Sequence, residues 1–123
     1  MAISVLVVDD DDDIAMLLLS SLHRAGISAA RAADGAEGVD GVRREHPRIV
    51  LLDWMMPVKD GIQTCEEIRR DPDIPQPHII MLTARTLQSD QALALGSGVD
   101  EFIAKPFRPR EIVSQVQQLL LAS

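Results

Sequence analysis

The stretch VLVVDDDDD, Val5 to Asp13, runs four apolar residues directly into five carboxylates. Its apolar half has no polar alternation and is rich in β-branched side chains, which suits a strand buried on both faces. Beyond it the pattern changes. Ile14, Leu17, Leu18, Ser21, Leu22 and Ala25 recur at helical spacing, and Gly26 supplies a stop. A doubly buried strand that feeds a helix points to a parallel sheet with crossover helices.

The rest of the chain repeats this order. Ser28–Ala32 is a short Ala-rich strand, and DGAEGVDGVRREHP (34–47) is a helix weakened by Gly38 and Gly41 and stopped by Pro47. Arg48–Leu52 (RIVLL) is the clearest central strand, followed by the turn-rich MMPVKDG and a helix faced by Ile62, Cys65 and Ile68. After the proline-rich loop RDPDIPQP come a strand at His78–Leu82 and a helix at Leu87–Leu95 closed by Gly96 and Gly98. A strand at Asp100–Ala104 and a helix opening at Pro109 complete the pattern. Five β-then-α units with right-handed crossovers give an α/β doubly wound layer, read as one domain over residues 1–123 with no linker and no output domain.

Composition narrows the function. A net charge of −7 and only three aromatic side chains (Trp54, Phe102, Phe107) argue against direct nucleic-acid binding. No apolar run approaches the roughly 18 residues of a membrane span. No basic leader precedes an apolar segment near Met1, and Cys65 is the lone cysteine, so a reducing, cytoplasmic setting is expected.

In a doubly wound sheet, function collects where strands end, near the point at which strand order reverses. Asp9 and Asp10 follow the first strand, Asp53 the third, Thr83 the fourth and Lys105 the fifth. Three acids, a hydroxyl and an ammonium therefore share one rim. Two carboxylates ~5 Å apart repel by about 3 kcal/mol at an effective dielectric of ~20. Gathering three calls for a cation or raised pKa values. Hard oxygen donors in small number suit Mg²⁺, and an acidic Mg²⁺ pocket beside a lysine suits a phosphoryl group. Asp53, at the centre, is the expected nucleophile that forms an acyl phosphate. Asp11 to Asp13 are read as the start of the first helix, one of them capping it.

LVVDD (Leu6–Asp10), LLDWMMPVKDG (Leu51–Gly61), LTA (Leu82–Ala84) and KPF (Lys105–Phe107) stand in that order on these elements. In this the chain resembles the receiver domain of bacterial two-component response regulators. The resemblance implies a (βα)5 flavodoxin-like sandwich around a five-stranded parallel sheet. It implies that Asp53 accepts a phosphoryl group from a phosphohistidine on a sensor histidine kinase or phosphotransfer protein. Mg²⁺ would be held by Asp9, Asp10, Asp53 and the main-chain carbonyl of Met55. Thr83 would hydrogen-bond one phosphoryl oxygen and Lys105 pair with another, with Ala84 small enough to leave room. The Lys105–Pro106 peptide would be cis. Thr83 and Phe102 would form the switch, Phe102 standing where many relatives have Tyr. The responding surface would be the fourth helix, fifth strand and last helix, meeting a downstream protein or a second copy. Such a domain catalyses only its own phosphorylation and dephosphorylation.

Competing readings are a Mg²⁺-dependent phosphatase of haloacid-dehalogenase type, a flavodoxin-like FMN binder and a pseudo-receiver that works unphosphorylated. The first needs a second acid two residues past the nucleophile, where this chain has Met55. The second needs a phosphate cradle where DDDDD repels one. The third does not require the full set of site residues present here. Trp54 is expected to pack at the pocket edge, with Met55 and Arg85 flanking it. Cys65 is expected to be buried, and His23, His46 and His78 show no ligand spacing. Among Leu119–Leu121, at least one is expected to face outward.

Overall fold

The computed structural model describes residues 3–85 and 87–122. Strands β1 (Val5–Val8), β2 (Ala29–Ala32), β3 (Ile49–Asp53), β4 (His78–Thr83) and β5 (Glu101–Ala104) alternate with helices α1 (Asp12–Arg24), α2 (Gly35–Glu45), α3 (Gly61–Arg70), α4 (Gln88–Gly96) and α5 (Pro109–Leu121). All strand pairs are parallel, in the order β2-β1-β3-β4-β5. The doubly wound α/β architecture read from the sequence is the architecture found.

The pleat sorts the strand residues into two cores. Leu6, Val8, Val50, Leu52, Ile79 and Met81 face one way and pack with residues of α2 and α3 and with Ala94 of α4. Val5, Val7, Ile49, Leu51, Ile80 and Leu82 face the other way, against α1 and α5. That is why these strands read as unbroken apolar runs. Cys65 is buried in the first core, and burial pushes its thiol up to about 11. On α5, Leu119 and Leu120 lean on the second core while Leu121 projects outward.

Helix ends follow local chemistry. Asp11 caps α1, its Oδ1 accepting from the N–H groups of Asp13 (2.9 Å) and Ile14 (3.1 Å). Asp34 caps α2, and Asp60 with Gln63 forms a reciprocal capping box on α3. Gly98, with φ of 106°, supplies the left-handed turn after α4. By contrast α4 begins at Leu87 without a side-chain cap and buries only Ala94 fully.

The structure adds a packing role to two glycines of α2. Gly38 and Gly41, taken from the sequence as helix weakeners, lie against β1. A Cβ on Gly38 would come within 2.9 Å of Val8 Cγ1, and one on Gly41 within 3.0 Å of Leu6 Cδ2. Their lost helix propensity is offset by close helix–sheet packing. Among the described residues, no helix is long and apolar enough to cross a membrane.

Candidate functional site

The chain runs from β1 outward to β2, then crosses back to β3 on the other side of β1. The crevice between the carboxyl ends of β1 and β3 is therefore the reversal point. Asp9 lies just past β1 and Asp53 is the last residue of β3. Both are buried, while Asp10 is exposed at the mouth. One carboxylate oxygen from each of Asp9, Asp10 and Asp53 lies within 4.8 Å of the other two.

The two buried acids are held differently. Asp9 Oδ1 accepts from the Asp11 N–H at 2.9 Å, whereas Asp9 Oδ2 is buried with no hydrogen-bond partner among the described residues. Burial, opposed by the Asp11 hydrogen bond and reinforced by the charge of Asp53, raises the Asp9 pKa to about 6. Asp53 Oδ1 accepts from the Lys105 ammonium at 2.9 Å. Burial still raises its pKa, with Lys105 pulling the other way. An orphaned buried carboxylate oxygen, two neighbouring acids and an all-oxygen donor set are what a small hard cation fits.

Thr83 and Lys105 sit on the neighbouring strand ends. The Lys105 N–H donates to the Thr83 carbonyl at 2.9 Å, and the Lys105–Pro106 peptide is cis. The Thr83 hydroxyl accepts from the Arg85 N–H at 2.8 Å. Ala84 is exposed beside it. The loop after β3 is pinned by Gly61, whose N–H donates to the Trp54 carbonyl at 2.8 Å. A Cβ on Gly61 would meet the Asp53 carbonyl oxygen at 2.5 Å, so only glycine lets α3 start this close to the site.

Met55 lies on that loop with an exposed side chain, and Phe102 sits half-buried on β5 opposite Met81, packed against the first core. The three histidines are dispersed. His23 bonds the Ala29 carbonyl, His46 closes α2 and His78 pairs with Glu101.

Two features had no signal in periodicity or motif. The Arg85 guanidinium stacks 4.8 Å above the ring of buried Trp54 and pairs with Asp90 of α4 at 2.9 Å. Arg31, a lone basic residue in the Ala-rich β2, donates to the Asp9 carbonyl and pairs with Asp12. Its only mark in the sequence is a long cation among small side chains.

The sequence profile described as the response regulator receiver domain matches residues 5–117. The chain belongs to this family. It is 41% identical over 116 residues to the probable transcriptional regulator ycf27 of Porphyridium aerugineum, which covers 94% of this chain. The chain spans about half of that relative's length, 47%. Among solved structures it is similar to the receiver domain of the Francisella response regulator 1452, with TM-score 0.89, 30% identity and 98% of each chain covered. It is also similar to the receiver domain of the sensor histidine kinase PA1611 from Pseudomonas aeruginosa PAO1, solved with a magnesium ion coordinated in its active-site cleft. There the TM-score is 0.85, the identity 29%, and 98% of each chain is covered. Receiver domains are signalling domains of two-component systems rather than turnover enzymes.

Proposed function

We propose that this receiver domain is a phosphorylation-operated switch whose acceptor is Asp53, charged by a phosphohistidine on a sensor histidine kinase or phosphotransfer protein. The observation that carries the reading is the convergence on Asp53 of the Lys105 ammonium at 2.9 Å and of the Asp9 and Asp10 carboxylates. In the transfer, an Asp53 carboxylate oxygen attacks phosphorus while the P–N bond to the imidazole breaks. The departing imidazole nitrogen takes up the released electron pair and then a solvent proton. An acyl phosphate on Asp53 results. Lys105 leaves the Asp53 oxygen for a phosphoryl oxygen, and the Thr83 hydroxyl turns from the Arg85 N–H to donate to another.

Asp9, Asp10, Asp53 and the Met55 carbonyl are the groups that would hold Mg²⁺. The bound ion supplies charge neutralisation for the non-bridging phosphoryl oxygens. The unpartnered Asp9 Oδ2 supports that assignment. The magnesium in the cleft of the Pseudomonas relative is a precedent on the same fold.

The switched surface in this reading is α4, β5 and α5, with Phe102 turning inward as Thr83 moves. The lack of a side-chain cap on α4 and its single fully buried residue leave that helix free to respond. Its partner is a downstream protein or a second copy of the chain. We further assign residues 1–123 to one receiver domain that acts in the cytoplasm without contacting nucleic acid or membrane itself.

The test is direct. Acetyl phosphate with Mg²⁺ should add one phosphoryl group, read by mass spectrometry, and Asp53→Asn should abolish it. The same modification on Asp53→Asn, or none on the wild type, would sink the assignment.

A further inference from the structure

The β1–β2 ladder ends with Val8 opposite Ala32, and the Asp9 N–H still reaches the Ala32 carbonyl at 3.2 Å. The carbonyl of Asp9 lies beyond that ladder. Its donors come from Arg31, through Nε at 3.1 Å and Nη2 at 2.9 Å. Two donors in one rigid guanidinium plane fix the direction of the carbonyl. A peptide unit is planar, so this also fixes the plane joining Asp9 to Asp10, from which both carboxylates are aimed. The third nitrogen, Nη1, takes Asp12 Oδ1 at 2.7 Å. Asp12 is thereby drawn to the β2 edge, outside the cluster of Asp9, Asp10 and Asp53.

We propose that Arg31 is a positioning residue of the divalent-cation pocket, setting its Mg²⁺ affinity by holding the Asp9–Asp10 peptide in the ligating orientation. This rests on the reading of the pocket as a Mg²⁺ site. Arg31 is itself a cation near a cation site, and by charge alone its removal would tighten binding. Removing Arg31 takes away one positive charge whether or not Asp12 pairs with it, so charge alone tightens binding and loss of the carbonyl grip weakens it; the sign of the change separates the two.

The experiment compares Arg31→Met, which keeps an apolar stem and loses all three donors, with Asp12→Asn, which weakens only the ion pair. Mg²⁺ is titrated by Trp54 fluorescence and by calorimetry. In metal-free protein, hydrogen exchange of the Asp11 amide is followed by NMR, because that N–H bonds Asp9 Oδ1 and reports its orientation. Arg31→Met should bind Mg²⁺ about 10-fold more weakly, the scale set by groups that orient metal ligands. It should also expose the Asp11 amide selectively. Arg31→Lys, which keeps the charge but not the fork, should recover only part of the affinity. Asp12→Asn should stay within about 2-fold of wild type, since the carbonyl grip survives.

Unchanged or tighter Mg²⁺ binding by folded Arg31→Met overturns the proposal, as does an equal loss in Asp12→Asn. A purely structural role would lower global stability and leave the affinity of the folded protein alone. Absence of any Mg²⁺ response in the wild type would instead overturn the reading of the pocket. Even then the Asp11 exchange, measured without metal, decides whether Arg31 holds the loop.

Discussion

The Lys105 ammonium donates to Oδ1 of Asp53 at 2.9 Å, and it does so from the far side of β4, since β5 pairs with β4 and β4 with β3. A side chain two strands away thus supplies the cation that opposes the rise burial imposes on this carboxylate's pKa. Lys105→Met should slow phosphorylation by acetyl phosphate about 100-fold, the scale for losing one donor to developing charge. It should also shift the acid limb of the pH–rate profile upward. Burial already raises the Asp53 pKa and Lys105 opposes that rise. A uniform loss with an unmoved acid limb would mean that Lys105 acts on the phosphoryl group alone.

Asp9 makes the metal-free fold pH-dependent. Its pKa is raised from 3.8 to about 6, chiefly by burial. Between those values the folded chain holds a proton that the unfolded chain has released. The contribution is therefore most favourable at the acid end and is lost as pH rises through this window. At ~1.4 kcal/mol per pKa unit, the loss reaches about 3 kcal/mol by neutral pH. Urea unfolding in chelator should show stability falling across this range. Asp9→Asn should flatten the fall and, at neutral pH without metal, raise the midpoint. A profile unchanged by Asp9→Asn would assign the effect elsewhere.

What the sequence disclosed depended on whether the signal was periodic or spatial. β1, β3 and β4 were legible because burial on both faces forbids polar alternation, whereas the half-buried edge strands β2 and β5 were placed by their position in the β-then-α order. Asp9, Asp53, Thr83 and Lys105 could be gathered from the sequence, because parallel strands bring all their carboxyl ends to one edge. Asp11 was one of three equivalent caps until its bonds to Asp13 and Ile14 singled it out. Arg31 and the Arg85–Trp54 stack were not legible, since each joins residues from different strands or loops with no recurring spacing. That Gly38 and Gly41 also let α2 pack closely on β1 was not legible, because propensity scales carry no term for a neighbouring sheet.

Glycines in this chain should respond in opposite ways to alanine. At Gly61 a Cβ would meet the Asp53 carbonyl oxygen at 2.5 Å and Trp54 Cα at 2.9 Å, both backbone atoms that cannot step aside. Gly61→Ala should cost about 2–3 kcal/mol, within the range for overpacking, and should weaken Mg²⁺ binding by moving Asp53. At Gly96, the last residue of α4, a Cβ meets nothing within 4 Å. Gly96→Ala should stabilise by about 0.5–1 kcal/mol through lost unfolded-state freedom. Chemical denaturation of both variants is the check, and the same sign in both would refute the contrast.

Val58 holds strain that a single substitution should release. Its φ is 67°, a region that β-branched side chains avoid, and its side chain is fully exposed, so no packing rewards the conformation. The flanking contacts impose it. Lys59 N–H closes on the Pro57 carbonyl at 2.8 Å, making a tight turn around Val58. Downstream, Lys59 pairs with Glu67, and the Asp60–Gln63 capping box fixes the start of α3. The left-handed conformation costs a side chain about 1–2 kcal/mol, and glycine gives back about 0.4–1 kcal/mol through a more mobile unfolded chain. Val58→Gly should therefore raise the denaturant midpoint by a net of about 0.5–1 kcal/mol, with an unchanged m-value. Val58→Asn should fall between, since asparagine tolerates positive φ better than valine. Because the side chain touches nothing at the acidic cluster, Mg²⁺ affinity should stay at the wild-type value in both. A lower midpoint in Val58→Gly would mean that the exposed isopropyl group makes a contact in the folded chain that outweighs its backbone strain.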